Sequence, residues 1–114
     1  SRAILNLMNN ACYTVWNKEQ ALGDDYTPTI HVKVAAADGQ LTISIADNGE
    51  GMTEDVKQRL YENFFTTKPA GQGTGLGMAI TKDIVENKHK GTLTFESQEG
   101  QGTTFYITIP IKKA

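Results

Sequence analysis

Apolar residues recur at helical spacing from the start of the chain. Ile4, Leu5, Met8, Ala11, Cys12, Val15 and Trp16 predict an amphipathic helix over residues 2–17. Two alternating runs follow. In residues 29–37, Ile30, Val32 and Val34 share one side and His31 and Lys33 the other; in residues 41–47, Leu41, Ile43 and Ile45 point inward. Asp38 and Gly39 between these runs suit a tight hairpin turn. Residues 17–28 read as a polar surface loop. Thr53, followed by Glu54 and Asp55, has the form of a helix cap with an acidic first turn and opens a short helix reaching Asn63. Residues 69–75 read as a loop, and Leu76, Ala79, Ile80, Ile84 and Val85 restore helical spacing over residues 75–88. Two further strands, 92–97 and 103–111, are joined by a turn at 99–102. The order α-β-β-α-α-β-β predicts an α+β domain, with helices on one face of a mixed, largely antiparallel sheet.

Composition narrows the class. A length of 114 residues suits one domain. With 39% apolar and 21% charged residues, the chain is neither disordered nor membrane-like in character. Eleven basic against thirteen acidic residues give net −2, which excludes the basic footprint of a nucleic-acid binder. The lone Cys12 excludes an internal disulfide and points to a reducing compartment. No apolar run approaches the ~18 residues of a membrane span, and no signal-peptide pattern is present. The expected location is cytoplasmic, with any membrane anchor in parent segments. Ser1 rather than Met begins the chain and a helix starts at once, so the sequence reads as a piece of something longer.

Polar residues interrupt the apolar phase at chosen places. The alternation Leu41, Ile43, Ile45 continues to Asp47, and that of Phe105, Ile107 and Ile109 begins at Thr103. A carboxylate in a buried phase needs donors. Two polar groups at the rims of apolar faces suggest a pocket, and a planar heterocycle with an exocyclic amine would suit Asp47. Asp47 capping the Asn48–Gly49 turn through its own backbone is the alternative. Asn6, Asn9 and Asn10 crowd the first helix although Asn is a poor helix former. Asn6 and Asn10 project from one side. They could ligate a hard cation such as Mg²⁺, which takes few protein ligands plus phosphate oxygens, or simply form a solvated face.

Glycine is the unusual count, eleven residues in clusters. Gly49 and Gly51 form one cluster, Gly71, Gly73, Gly75 and Gly77 a second, and Gly100 and Gly102 a third. The second precedes a helix, where backbone N–H groups and the helix terminus favour a phosphate. Its spacing is neither the Rossmann fingerprint nor a Walker loop. Phe64 and Phe65 before Thr66, Thr67 and Lys68 would anchor a mobile loop, with Lys68 reaching a phosphate.

In order, these pieces resemble the ATP-binding catalytic domain of sensor histidine kinases, within the GHKL superfamily that also holds type II topoisomerase and MutL ATPases. The matching stretches run from Asn6 to Ala11, Asp47 to Met52, Phe64 to Lys68, Gly73 to Ile80 and Gly100 to Phe105, so the resemblance covers essentially the whole chain. It implies the two-layer α/β sandwich (Bergerat fold) of that superfamily, with ATP and Mg²⁺ as cofactors. Asn10 would ligate the metal, with Asn6 close by, and Asp47 would bind the adenine amino group. Gly49 and Gly51 would bring the backbone close to the base, and Thr103 would complete the adenine pocket through water. Gly73, Thr74, Gly75, Leu76 and Gly77 would form the phosphate-side end of an ATP lid over residues 66–74. The implied activity is transfer of the γ-phosphate to a histidine on a separate dimerisation and phosphoacceptor domain of a homodimeric parent, upstream of a response regulator.

Three departures from the family pattern matter. Tyr13 stands where a basic residue is usual, which leaves Lys68 as the expected phosphate cation. The strand that normally precedes the first helix is missing, so one sheet edge is expected to be uncovered. The phosphoacceptor motif is missing too, and His31 and His89 read as surface residues. Two other readings share the nucleotide site: an ATP hydrolase and a non-catalytic nucleotide-binding module. The hydrolase would need a general base one helical turn before Asn10, where the chain has Asn6; Glu50 and Glu62 are the nearest carboxylates. A serine kinase acting on an anti-sigma partner is a further relative, but the stretches from Phe64 to Lys68 and Gly73 to Ile80 look more like a histidine kinase.

Overall fold

The structure, a computed structural model, describes residues 2–62 and 77–111. Helix α1 spans Arg2–Leu22 and ends in a 3₁₀ turn at Gly23–Asp25. Strands β1 (Ile30–Ala37) and β2 (Gln40–Asp47) form the expected hairpin, with Asp38 and Gly39 both at positive φ in its two-residue turn. Helix α2 (Glu54–Arg59) is capped as its sequence indicates, the Thr53 hydroxyl accepting from Val56 N–H at 3.2 Å. Helix α3 (Gly77–Asp83) runs on into a π-helical turn at Ile84–Lys88, and strands β3 (Thr92–Gln98) and β4 (Gly102–Pro110) complete the chain.

The four described strands form one sheet in the order β1-β2-β4-β3, every pairing antiparallel. The helices lie against one face of it. Their shared core is Ala3, Leu7 and Ala11 of α1, Ile84 and Val85 after α3, Leu60 after α2, and Ile45, Leu93, Phe105 and Ile107 of the sheet. Register settles which strand residues meet: Ile45 stands opposite Phe105 and Ile43 opposite Ile107, while Asp47 stands opposite Thr103. The two polar rim residues are therefore direct cross-strand neighbours at one end of the core.

Three sequence expectations change. The loop expected at residues 17–28 gives up its first part to α1, which continues to Leu22. The buried stripe of α1 is Ala3, Leu7, Ala11 and Val15, spaced every four residues, whereas Leu5 and Trp16 are 58% and 52% exposed. The helix sets Ala3 and Ala11 beside Leu7 and Val15 on its inward face, with Ile4 and Met8 partly buried next to them, and turns Leu5 and Trp16 outward. On β1, Val32 and Val34 are more than half exposed: the core takes in Ile43 and Ile45 of β2 but only Ile30 of this edge strand. Among the described residues, β1 and β3 are the edge strands of the sheet. Among those residues no helix is long and apolar enough to cross a membrane. His31 and His89 are both exposed.

Candidate functional site

A cavity of about 320 Å³ opens where the ends of β2 and β4 meet α1, α2 and α3. Asp47, Thr103 and Asn10 all line it, joined by Tyr13, Thr14, Glu50, Gly51 and Glu99. Met52, Val56, Leu60, Met78 and Phe105 supply apolar wall. An apolar slot of this size with a few directional polar groups is the usual form of a small-molecule site.

Asp47 closes one side. Its Oδ1 accepts from Gly49 N–H at 2.9 Å and from Thr103 N–H at 3.3 Å. The turn-capping role and the pocket role thus coexist: one oxygen caps the turn, and Oδ2 has no hydrogen-bond partner among the described residues. Burial pushes the carboxyl above the ordinary carboxylate range; the Gly49 and Thr103 N–H groups and the Lys18 ammonium pull it back in part. Thr103 is buried, and its hydroxyl shares a 2.8 Å hydrogen bond with Ser97 Oγ. Ser97 Oγ also accepts from Met52 N–H at 2.9 Å. Ser97 is a site-supporting residue that belongs to no motif; the signal that could have found it is its phase, since it continues the inward face of Leu93 and Phe95 in a polar residue type.

The two candidate metal ligands part company. Asn10 lines the cavity; among the described residues its amide nitrogen donates to the weak acceptor Met78 Sδ at 3.8 Å, and its carbonyl oxygen is the group that could serve a ligand. Asn6 is not among the lining residues; its amide donates to the fully buried Thr81 hydroxyl at 3.2 Å, tying α1 to α3. Lys68, Gly73, Thr74, Gly75 and Leu76, and the lid expected over residues 66–74, lie outside the described residues. Gly77 is the first residue of α3.

At this site, backbone packing requires glycine at positions 51 and 102. Gly51 sits at φ +71°, and a Cβ there would lie 2.1 Å from the Gln98 carbonyl oxygen. Gly102 sits at φ +131°, and a Cβ there would lie 2.1 Å from the Asp47 carbonyl oxygen. Both positions bring the loop after β2 against the β3–β4 turn with no room for a side chain. Gly49 is buried, with the Thr14 side chain filling the space its Cβ would take.

Residues outside every motif hold this loop in place. Glu50 N–H donates to Thr14 Oγ1 at 2.9 Å, and Asn17 Nδ2 donates to Glu50 Oε1 at 3.1 Å. Asn48 Oδ1 accepts from Tyr26 OH and from Thr29 N–H, both at 2.8 Å, and Asn48 Nδ2 donates to Thr27 O at 2.9 Å. Gly100 N–H donates to Glu50 O at 2.7 Å.

The whole chain, residues 1–113, matches the family model described as histidine kinase-, DNA gyrase B-, and HSP90-like ATPase. Sporulation kinase E of Bacillus subtilis is 46% identical over 85 residues, 74% of this chain and 11% of the relative. The sensor histidine kinase ZraS of Klebsiella oxytoca is 36% identical over 110 residues, 96% of this chain and 21% of the relative. Among solved structures, full-length ShkA in complex with AMPPNP superposes with a TM-score of 0.78 at 27% identity, covering 99% of this chain and 21% of that one. The chain thus spans about a fifth or less of the length of these relatives.

Proposed function

Since this chain belongs to the histidine kinase-, DNA gyrase B- and HSP90-like ATPases, we propose that it binds Mg²⁺–ATP and presents the γ-phosphate to a histidine of a separate phosphoacceptor domain. The parent on this reading is a homodimeric two-component kinase that phosphorylates a response regulator. The observation that carries the reading is Asp47: a half-buried carboxylate with one oxygen fixed by two backbone N–H groups and the other unpartnered, in a cavity it shares with Asn10.

The donor set fits the ligand. Asp47 Oδ2 would accept from the exocyclic amine of adenine, and Met52, Val56, Leu60 and Phe105 offer the apolar wall that would hold the ring. Asn10 offers a neutral carbonyl oxygen, the kind of ligand a hard cation takes when phosphate oxygens complete its shell. ATP with its cation supplies the transferable phosphoryl group and the charge that neutralises it. The chain binds and orients; no base is required of it, because the attacking imidazole lies on the acceptor. Lys68 and the glycines from Gly73 to Gly77 would cover the phosphates.

Hydrolysis is the poorer reading. The position one turn before Asn10 is Asn6, which is bonded to Thr81 and stands outside the cavity. The cavity carboxylates other than Asp47 are Glu50, bonded to Asn17, and Glu99 of the β3–β4 turn. The deciding experiment is phosphotransfer from γ-labelled ATP to a separately supplied phosphoacceptor domain. Labelled histidine with negligible free phosphate is expected. Steady phosphate release that disappears in Glu50→Gln would make the chain a hydrolase instead.

A further inference from the structure

We infer that Lys18, which no nucleotide-binding motif includes, is a positioning residue for the adenine side of the site, its ammonium gathering the backbone carbonyls of Asn48, Gly49 and Gly100. The inference rests on the nucleotide reading above. A lysine ammonium has three N–H donors. Here each has a carbonyl: Asn48 O at 3.2 Å, Gly49 O at 3.2 Å and Gly100 O at 2.9 Å. The Tyr26 ring sits under the nitrogen at 5.0 Å, adding attraction for the cation. Among the described residues the recorded ion pairs join Lys57 to Glu54 and Arg59 to Asp55 and Glu62, so the Lys18 charge is directed to the backbone.

The three carbonyls belong to two segments far apart in sequence. Asn48 and Gly49 follow β2 directly after Asp47; Gly100 is the tip of the β3–β4 turn, two residues before Gly102, whose backbone presses on the Asp47 carbonyl. Binding both segments to one cation on α1 fixes the Gly49 and Thr103 N–H groups that hold Asp47 Oδ1, and with them the direction of the free oxygen. Lys18 is the cation of this cluster. Among the described residues, the other titratable groups facing Asp47 are Tyr26 before β1 and, in the cavity, Tyr13, Glu50 and Glu99. Removing the ammonium therefore both loosens the loop and withdraws a positive charge that favours ionised Asp47.

The test is calorimetric titration of the full chain with ATP and with ADP, from pH 5 to pH 8, for the unchanged protein, Lys18→Met and Lys18→Arg, with a thermal melt of each. Lys18→Met is expected to weaken ATP and ADP by the same factor, about tenfold, since the defect lies at the base and not at the phosphates. The pH at which affinity is lost on the acid side should move upward. Lys18→Arg, which keeps the charge, should leave that midpoint in place. Unchanged protein that binds neither nucleotide would remove the site reading and this inference with it. If the unchanged protein binds, two results overturn the role of Lys18 alone: unaltered affinity and acid midpoint in Lys18→Met, or a midpoint that shifts equally in both variants.

Discussion

The two halves of α1 are held by different physics. In the first half, Ala3, Leu7 and Ala11 are buried against the sheet and α3, and Asn6 ties to Thr81. That half is a core helix, stabilised by area removed from water. In the second half only Val15 is buried; Thr14, Asn17 and Lys18 instead take up backbone and side-chain groups of the loop after β2 and the turn after β3. Those contacts add little core, yet they fix the segment that carries Asp47. One helix thus joins the stability of the domain to the shape of its site, with Asn10 at the junction. Substitutions in the first half should cost stability more than affinity, and those in the second half the reverse.

Leu7→Ala should have the largest effect on stability. Leu7 is 1% exposed, and truncating such a side chain costs about 2–5 kcal/mol. Denaturant unfolding should show that loss, while ATP affinity of the folded fraction stays at its original value. Thr14→Val tests the other half. It removes the hydroxyl that accepts from Glu50 N–H and should lower ATP affinity about three- to tenfold by calorimetry, for no more than about 1 kcal/mol of stability. Equal losses of stability in the two variants would erase the distinction. Val34→Thr on exposed β1 sets the baseline, with both stability and affinity unchanged within about 0.5 kcal/mol.

What the sequence made legible follows the same division. Strand spans, the Asp38–Gly39 hairpin and the Thr53 cap were readable because alternation and cap chemistry are local. Asp47 and Thr103 were readable as a pair because both continue an apolar phase in a polar residue type, and they prove to be cross-strand neighbours. The end of α1 was not readable: residues 17–22 are mostly polar, and their helix is supported by carbonyls distant in the chain, which leave no periodic trace. Lys18 and Tyr26 escaped notice for that reason, whereas Ser97 carried a phase signal of its own, continuing Leu93 and Phe95 on β3. Leu5 and Trp16 were assigned to the buried face because apolar spacing marks a stripe without saying which of its edges meets the core.

On the proposed function Asp47 receives the ligand's amine through the oxygen left without a partner among the described residues, and Asp47→Asn probes that contact. Gly49 and Thr103 N–H groups will keep the variant's carbonyl oxygen where Oδ1 now lies, so its NH₂ takes the place of Oδ2 and opposes a donor with a donor. The folded fold should not suffer. Burial raises the Asp47 carboxyl, so its effect on stability is most favourable below the ordinary carboxylate pKa and is lost as pH rises through the raised value. A neutral amide at pH 7 escapes that loss. Calorimetric titration with ATP and Mg²⁺, paired with a thermal melt, should therefore show at least about tenfold weaker binding at an equal or higher melting temperature. Unaltered ATP affinity in a correctly folded Asp47→Asn chain would contradict the account.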